Sequence, residues 1–129
     1  MATEGYLVNG TLTAGADLST KQFSIVKLST TANRTVLLGT LGAAYGVLQN
    51  KPLNNAFATV ALLGFVQVKA GGTITAGDYI TSDAAGLAIK LTPDTATPVF
   101  MDCLGIALES AVANDVFTAD IGRSAPTVT

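Results

Sequence analysis

The chain has no histidine, no tryptophan and one cysteine among its 129 residues. Each absence removes a class of chemistry. Without histidine there is no Ser-His or Cys-His nucleophile pair, no imidazole proton shuttle and no histidine ligand for zinc. Cys103 has no second cysteine to pair with, and it enters an apolar run, "MDCLG". A small buried residue explains that setting better than a nucleophile does. Three tyrosines and five phenylalanines give little material for a carbohydrate-stacking platform, and most of the aromatics read as core.

Charge is scarce as well. Only 12% of the residues are charged, against an average of about 25% in soluble domains, and mean hydropathy is +0.48. The net charge is −2 and the seven basic residues stand singly along the chain. A nucleic-acid partner would need a basic face to neutralise phosphates, so none is expected. So little charge leaves an exterior that is rich in hydroxyls, covered by other subunits, or both. Self-association is the expectation.

No long apolar run is present either. The most apolar stretch, "AFATVALLGFV" over Ala56–Val66, falls far short of the roughly 20 residues of a spanning helix. Its β-branched content reads as a buried strand, and no membrane association is expected. Residues 1–20 lack the basic start and apolar run of a secretory leader.

What the chain does have is short strands and turns. Leu87, Ile89 and Leu91 alternate with Ala88 and Lys90; Leu104, Ile106 and Leu108 alternate with Gly105, Ala107 and Glu109. Phe117, Ala119 and Ile121 alternate with Val116, Thr118 and Asp120. A period of two marks a sheet with one buried side. In Val60–Lys69 the second face begins apolar at Leu63 and Phe65 and ends polar at Gln67 and Lys69, which predicts a strand passing from a two-sided core to the surface. Phe23–Leu28, Arg34–Leu38 and Gly46–Gln49 are further candidates. Helical spacing is absent. The fold class is therefore all-β, a small β-barrel or sandwich of about eight short strands. The chain divides into an extended N-terminal arm over residues 1–20, a β domain over 21–121 and a tail over 122–129.

The glycines and carboxylates read as corners. In "KAGGTITAGDYITSDAAGLAIKL" (Lys69–Leu91), Asp83 and Gly86 take the first and fourth places of a type I turn. Gly71, Gly72 and Gly77 are expected to supply positive φ in neighbouring turns, with Asp78 beside them. No phosphate-binding loop pattern occurs, and no DxDxDG calcium loop. Nearly all the carboxylates stand in turn contexts, so no catalytic residue, cofactor site or metal site is expected.

Two segments, "FVQVKAGGTITAGDYITSDAAGLAIKL" and "LGIALESAVANDVFTADI", resemble the small capsid decoration, or cement, proteins of tailed bacteriophages. The resemblance rests on the turn at Ala70–Asp78, on Gly86, on "GIALE" at Gly105–Glu109 and on the turn at Asn114–Asp115. It covers Gly46 to Ile121. The family more often carries glycine before that last aspartate, and asparagine also tolerates positive φ. The resemblance implies a non-enzymatic virion protein, made in the cytoplasm of a bacterial host. It would sit on the outer surface of the head and brace the major capsid protein, commonly as a homotrimer. Contact residues expected for that role are Tyr6, Leu7, Val8, Ile25, Val26 and Tyr45. Ile25 and Val26 lie on opposite faces of a strand, so that one of them would be left outside the core. The alternative is a glycan-binding module of a phage head or tail fibre, which requires an exposed aromatic beside a polar groove.

Overall fold

The computed structural model describes residues 7–92 and 101–122. Nine strands and no helix occur among them: β1 (Leu7–Ala14), β2 (Ile25–Leu28), β3 (Thr35–Leu38), β4 (Gly46–Leu48), β5 (Phe57–Lys69), β6 (Tyr79–Ser82), β7 (Ala88–Lys90), β8 (Gly105–Ala107) and β9 (Val116–Ile121).

The strand β5 organises the rest. Its thirteen residues are long enough to serve two sheets. Residues 57–64 pair antiparallel with β1, and Val60 and Ala61 pair with β4. The order β1-β3-β2-β4-β5, with β1 returning to β5, closes a five-stranded barrel. Residues 64–69 pair instead with β9, and the order continues through β8 and β6 to β7 as an open sheet. The handover falls at Gly64, which pairs with both Leu7 and Ile121 and lies at φ +114°. That backbone region is open to glycine and rare for any other residue. A register shift between Val8 and Asn9 leaves Leu62 as an extra residue beside it. Such a bulge bends a strand and increases its twist.

Two cores result. The barrel interior holds Ala14, Leu18, Val26, Val36, Leu48, Ala58 and Val60. The second core joins Ile25 and Val47, on the outer side of the barrel wall, to Val66, Ile80, Phe117 and Ile121 of the open sheet. Each fully buried side chain of this size contributes about 1.5–3 kcal/mol. β2 lies between the two cores, so Ile25 and Val26 are both 0% exposed. The expectation that one of them would be left outside is corrected here: a wall shared by two cores has no outer face at that point.

The alternating strands show which face is inside. In β9, Phe117, Ala119 and Ile121 are buried, and Thr118 between them is buried as well. In β7 and β8 the small residues face the core: Ala88, Gly105 and Ala107 are buried, while Leu87, Ile89 and Ile106 are half-buried and Leu108 is exposed. Gly105 shows why. A Cβ placed there would stand 2.6 Å from the Ile121 Cα of β9, so only a glycine lets β8 and β9 approach. The two-sided core predicted at Leu63 and Phe65 is also corrected, since both are more than 40% exposed. The arm expected over residues 1–20 meets a strand from Leu7 onward, and Leu18 is 2% exposed in the barrel core. Residues 1–6 and 123–129 lie outside the described residues.

Candidate binding surface

The carboxylates hold turns. Asp78 Oδ2 accepts the Thr75 N–H at 2.9 Å, and the Asp78 N–H donates to the Thr75 carbonyl at 3.0 Å. Asp115 repeats the arrangement on Val112, with both bonds at 3.1 Å. In each turn the residue before the aspartate has positive φ, +94° at Gly77 and +74° at Asn114. The repeated corner is therefore one geometry written with two different residues. Asp83 Oδ1 accepts the N–H groups of Ala85 and Leu87 at 2.8 and 2.9 Å, and Gly86 closes the turn at φ +76°. Gly71 and Gly72, expected at positive φ, are not there. Gly71 instead allows a close approach, since an added Cβ would lie 2.7 Å from the Leu87 Cβ. Nothing in the structure requires glycine at position 72.

Asp17, Asp102 and Glu109 likewise accept backbone N–H groups, from Ser19, Ala44 and Thr118. Hydrogen bonds from Ser19 hold the Asp17 carboxyl below the ordinary carboxylate range, and the Thr118 N–H does the same for Glu109. Six of the nine carboxylates are thus used in bending or pinning backbone. Among the described residues, no three acids or cysteines gather closely enough to hold a metal ion.

The exposed surface is apolar where it is distinctive. Val8 pairs with Leu63, and Phe65 follows two residues along β5; the three are 38%, 45% and 43% exposed. This cluster lies beside Gly64, where the described fold begins and ends. Leu53 and Phe57 stand exposed at the other end of β5, and Leu108, Val112 and Val116 at the β8–β9 connection. Charge-poor apolar surface of this kind belongs to proteins that bind other proteins.

The predicted contact residues divide. Tyr6 lies outside the described residues. Leu7 opens β1 opposite Gly64, and Val8 is exposed in the cluster just described. Ile25 and Val26 are inside. Tyr45 is exposed and lines an open groove of about 650 Å³ with Lys27, Leu28, Thr31, Leu37 and Asp102. Phe57 and Phe65, read from the sequence as core aromatics, are on the surface. The signal that could have found them is the charge deficit itself: too few polar residues remain to cover the exterior.

The fold and this surface define a small all-β structural protein that works by contact. Residues 8–122 match the phage cement protein family, and the chain belongs to that family. It is a capsid decoration protein of the virion, on the outer surface of the phage capsid. The fold is similar to the crystal structure of the head fibre gp8.5 N base of bacteriophage phi29, at 22% identity and TM-score 0.63, covering 95% of this chain and 100% of that one. Comparison with curated proteins gave no match.

Proposed function

We propose that the chain stabilises the head by bracing neighbouring copies of the major capsid protein, and that it does so as a homotrimer without enzymatic activity. The observation that carries this reading is the exposed apolar cluster of Val8, Leu63 and Phe65 beside the point where the described fold begins and ends. Residues 1–20 then divide their work, Leu7–Ala14 closing the barrel and residues 1–6 extending the contact with the shell. Binding only to the assembled shell stabilises it by mass action, and several subunits fastened at once add avidity. The use of the carboxylates in turns favours a mechanical role over acid–base chemistry.

The test is a reconstitution. Heads stripped of this protein should lose heat resistance and regain it when the purified chain is added. Heads that are equally resistant with and without it would refute bracing. Multi-angle light scattering of the free protein, and of protein released from heads by mild treatment, tests the trimer.

One observation favours the second reading. The Tyr45 groove sets an exposed aromatic beside Lys27, Asp102 and the hydroxyl of Thr31, a composition that suits a saccharide. Saturable glycan binding that is lost in Tyr45→Ala, without loss of head binding, would assign the groove to that role.

A further inference from the structure

Sheet proteins guard the strands at their margins, because unpaired N–H and C=O groups recruit other chains. Among the described residues, the margins at β7 and at β1 differ in that respect. β7 is three residues long, ends in Lys90, and its Ala88 carbonyl already accepts the Gly71 N–H at 2.7 Å. β1 has no such guard. It pairs with β5 over seven of its residues, but with β3 only at Thr13 and Ala14.

Successive residues of an antiparallel ladder turn their N–H and C=O groups to alternate sides. The Ala14 N–H donates to the Ala56 carbonyl and the Thr13 N–H donates to the Arg34 carbonyl, each at 2.9 Å. Even-numbered residues of β1 therefore bond toward β5, and odd-numbered ones face the β3 side. Asn9 and Thr11 face that side before β3 has begun, since their pairing row reaches it only at Thr13↔Thr35. Among the described residues, no hydrogen bond reaches the outward N–H or C=O of either. Both side chains are exposed. No charged residue and no proline occurs from Leu7 through Ala16, so nothing repels an incoming strand.

We infer that the free rim of β1 at Asn9 and Thr11 accepts an added β-strand from the capsid shell protein. This rests on the cement reading and names the means of attachment. The chemistry offered is two outward N–H and two outward C=O groups in an uncharged row, next to exposed Val8. That fits an extended, uncharged segment, with main-chain bonds supplying affinity. A second copy of this chain is the other occupant to consider. Pairing β1 with β1 would run about a twofold axis and close as a dimer, which a trimer cannot use at every subunit. The rim is left for the shell.

Thr11→Pro and Asn9→Pro each delete one outward N–H while leaving the bonds to β5 in place. Lys90→Pro is the matched control. The Asp83 N–H bonds to Leu87 and the Leu91 N–H bonds to Tyr79, so the Lys90 N–H also points outward, on the guarded margin. Co-sedimentation with heads lacking the protein should show wild type and Lys90→Pro binding alike. The two β1 variants should bind roughly tenfold more weakly or worse, with melting temperatures close to wild type.

Should either β1 variant unfold, amide exchange on the wild-type chain decides instead: the Asn9 and Thr11 amides exchange fast in free protein and slow on heads. Equal binding by the β1 variants, or unchanged exchange on heads, overturns the inference. So does protection of those amides in a free dimer, which would make the occupant a second copy. A wild-type chain that fails to bind heads overturns the cement reading itself, an outcome distinct from loss confined to the β1 variants.

Discussion

Replacing Gly105 by alanine tests the close packing of the open sheet. Gly105 opens β8 and pairs with Ile80 of β6 and with Ile121 of β9. The added Cβ would meet the Asp120 carbonyl, the Asp120 C at 2.9 Å and the Ile121 Cα at 2.6 Å. These are backbone atoms, so no rotamer change relieves the clash. β8 must move away from β9, loosening the packing around Ala107, Ala119 and Ile121 in the second core. Overpacking costs about 1–3 kcal/mol and at times more, and a clash against backbone on the partner strand belongs at the top of that range. A loss of about 3 kcal/mol lowers the melting temperature of a domain this size by roughly 10–15 °C. Urea denaturation should show the midpoint falling with little change in slope. Gly72→Ala is the control, its nearest contact being 4.0 Å away at the Ile89 Cγ2, and should shift stability by no more than about 0.5 kcal/mol. A Gly105→Ala melting temperature within about 2 °C of wild type would refute the packing argument.

Three further outcomes are expected. The Thr81 hydroxyl is fully buried without a hydrogen-bond partner among the described residues, so Thr81→Val should stabilise by about 1 kcal/mol in urea unfolding; destabilisation would mean the hydroxyl has a partner. Asp83→Ala strips the acceptor from the Ala85 and Leu87 N–H groups and should cost about 1–2 kcal/mol, while Asp83→Asn keeps an acceptor and should cost less. The Thr118 N–H bond lowers the Glu109 pKa in the folded state. That contribution to stability is present above the unfolded value and is lost as the pH falls through the folded one. Stability should therefore drop as the pH falls below the ordinary glutamate range, and Glu109→Gln should flatten that limb when urea midpoints are compared across pH.

The sequence carried the fold class and most strands, because alternation and turn chemistry are local. It could not tell which face of an alternating strand is inside. In β8, Ile106 and Leu108 are more exposed than Gly105 and Ala107, because the close approach of β8 to β9 leaves no room for a Cβ at position 105. Burial of both Ile25 and Val26 depends on β2 serving two cores at once, a fact of long-range topology. β1 read as an arm because its core-facing residues include Gly10 as well as Leu12 and Ala14, with Asn9, Thr11 and Thr13 between them. Its seven pairs with β5 are set by tertiary structure. Of the contact residues, Val8 and Tyr45 are exposed, whereas Leu63 and Phe65 stayed hidden inside a run that looked like core throughout.

Cryo-electron microscopy of heads lacking this protein, before and after addition of the purified chain, tests the central claim most directly. Added density on the outer shell that fits the barrel and its open sheet, with the Val8–Leu63–Phe65 side against capsid protein, is the predicted result. Identical maps before and after addition would contradict it.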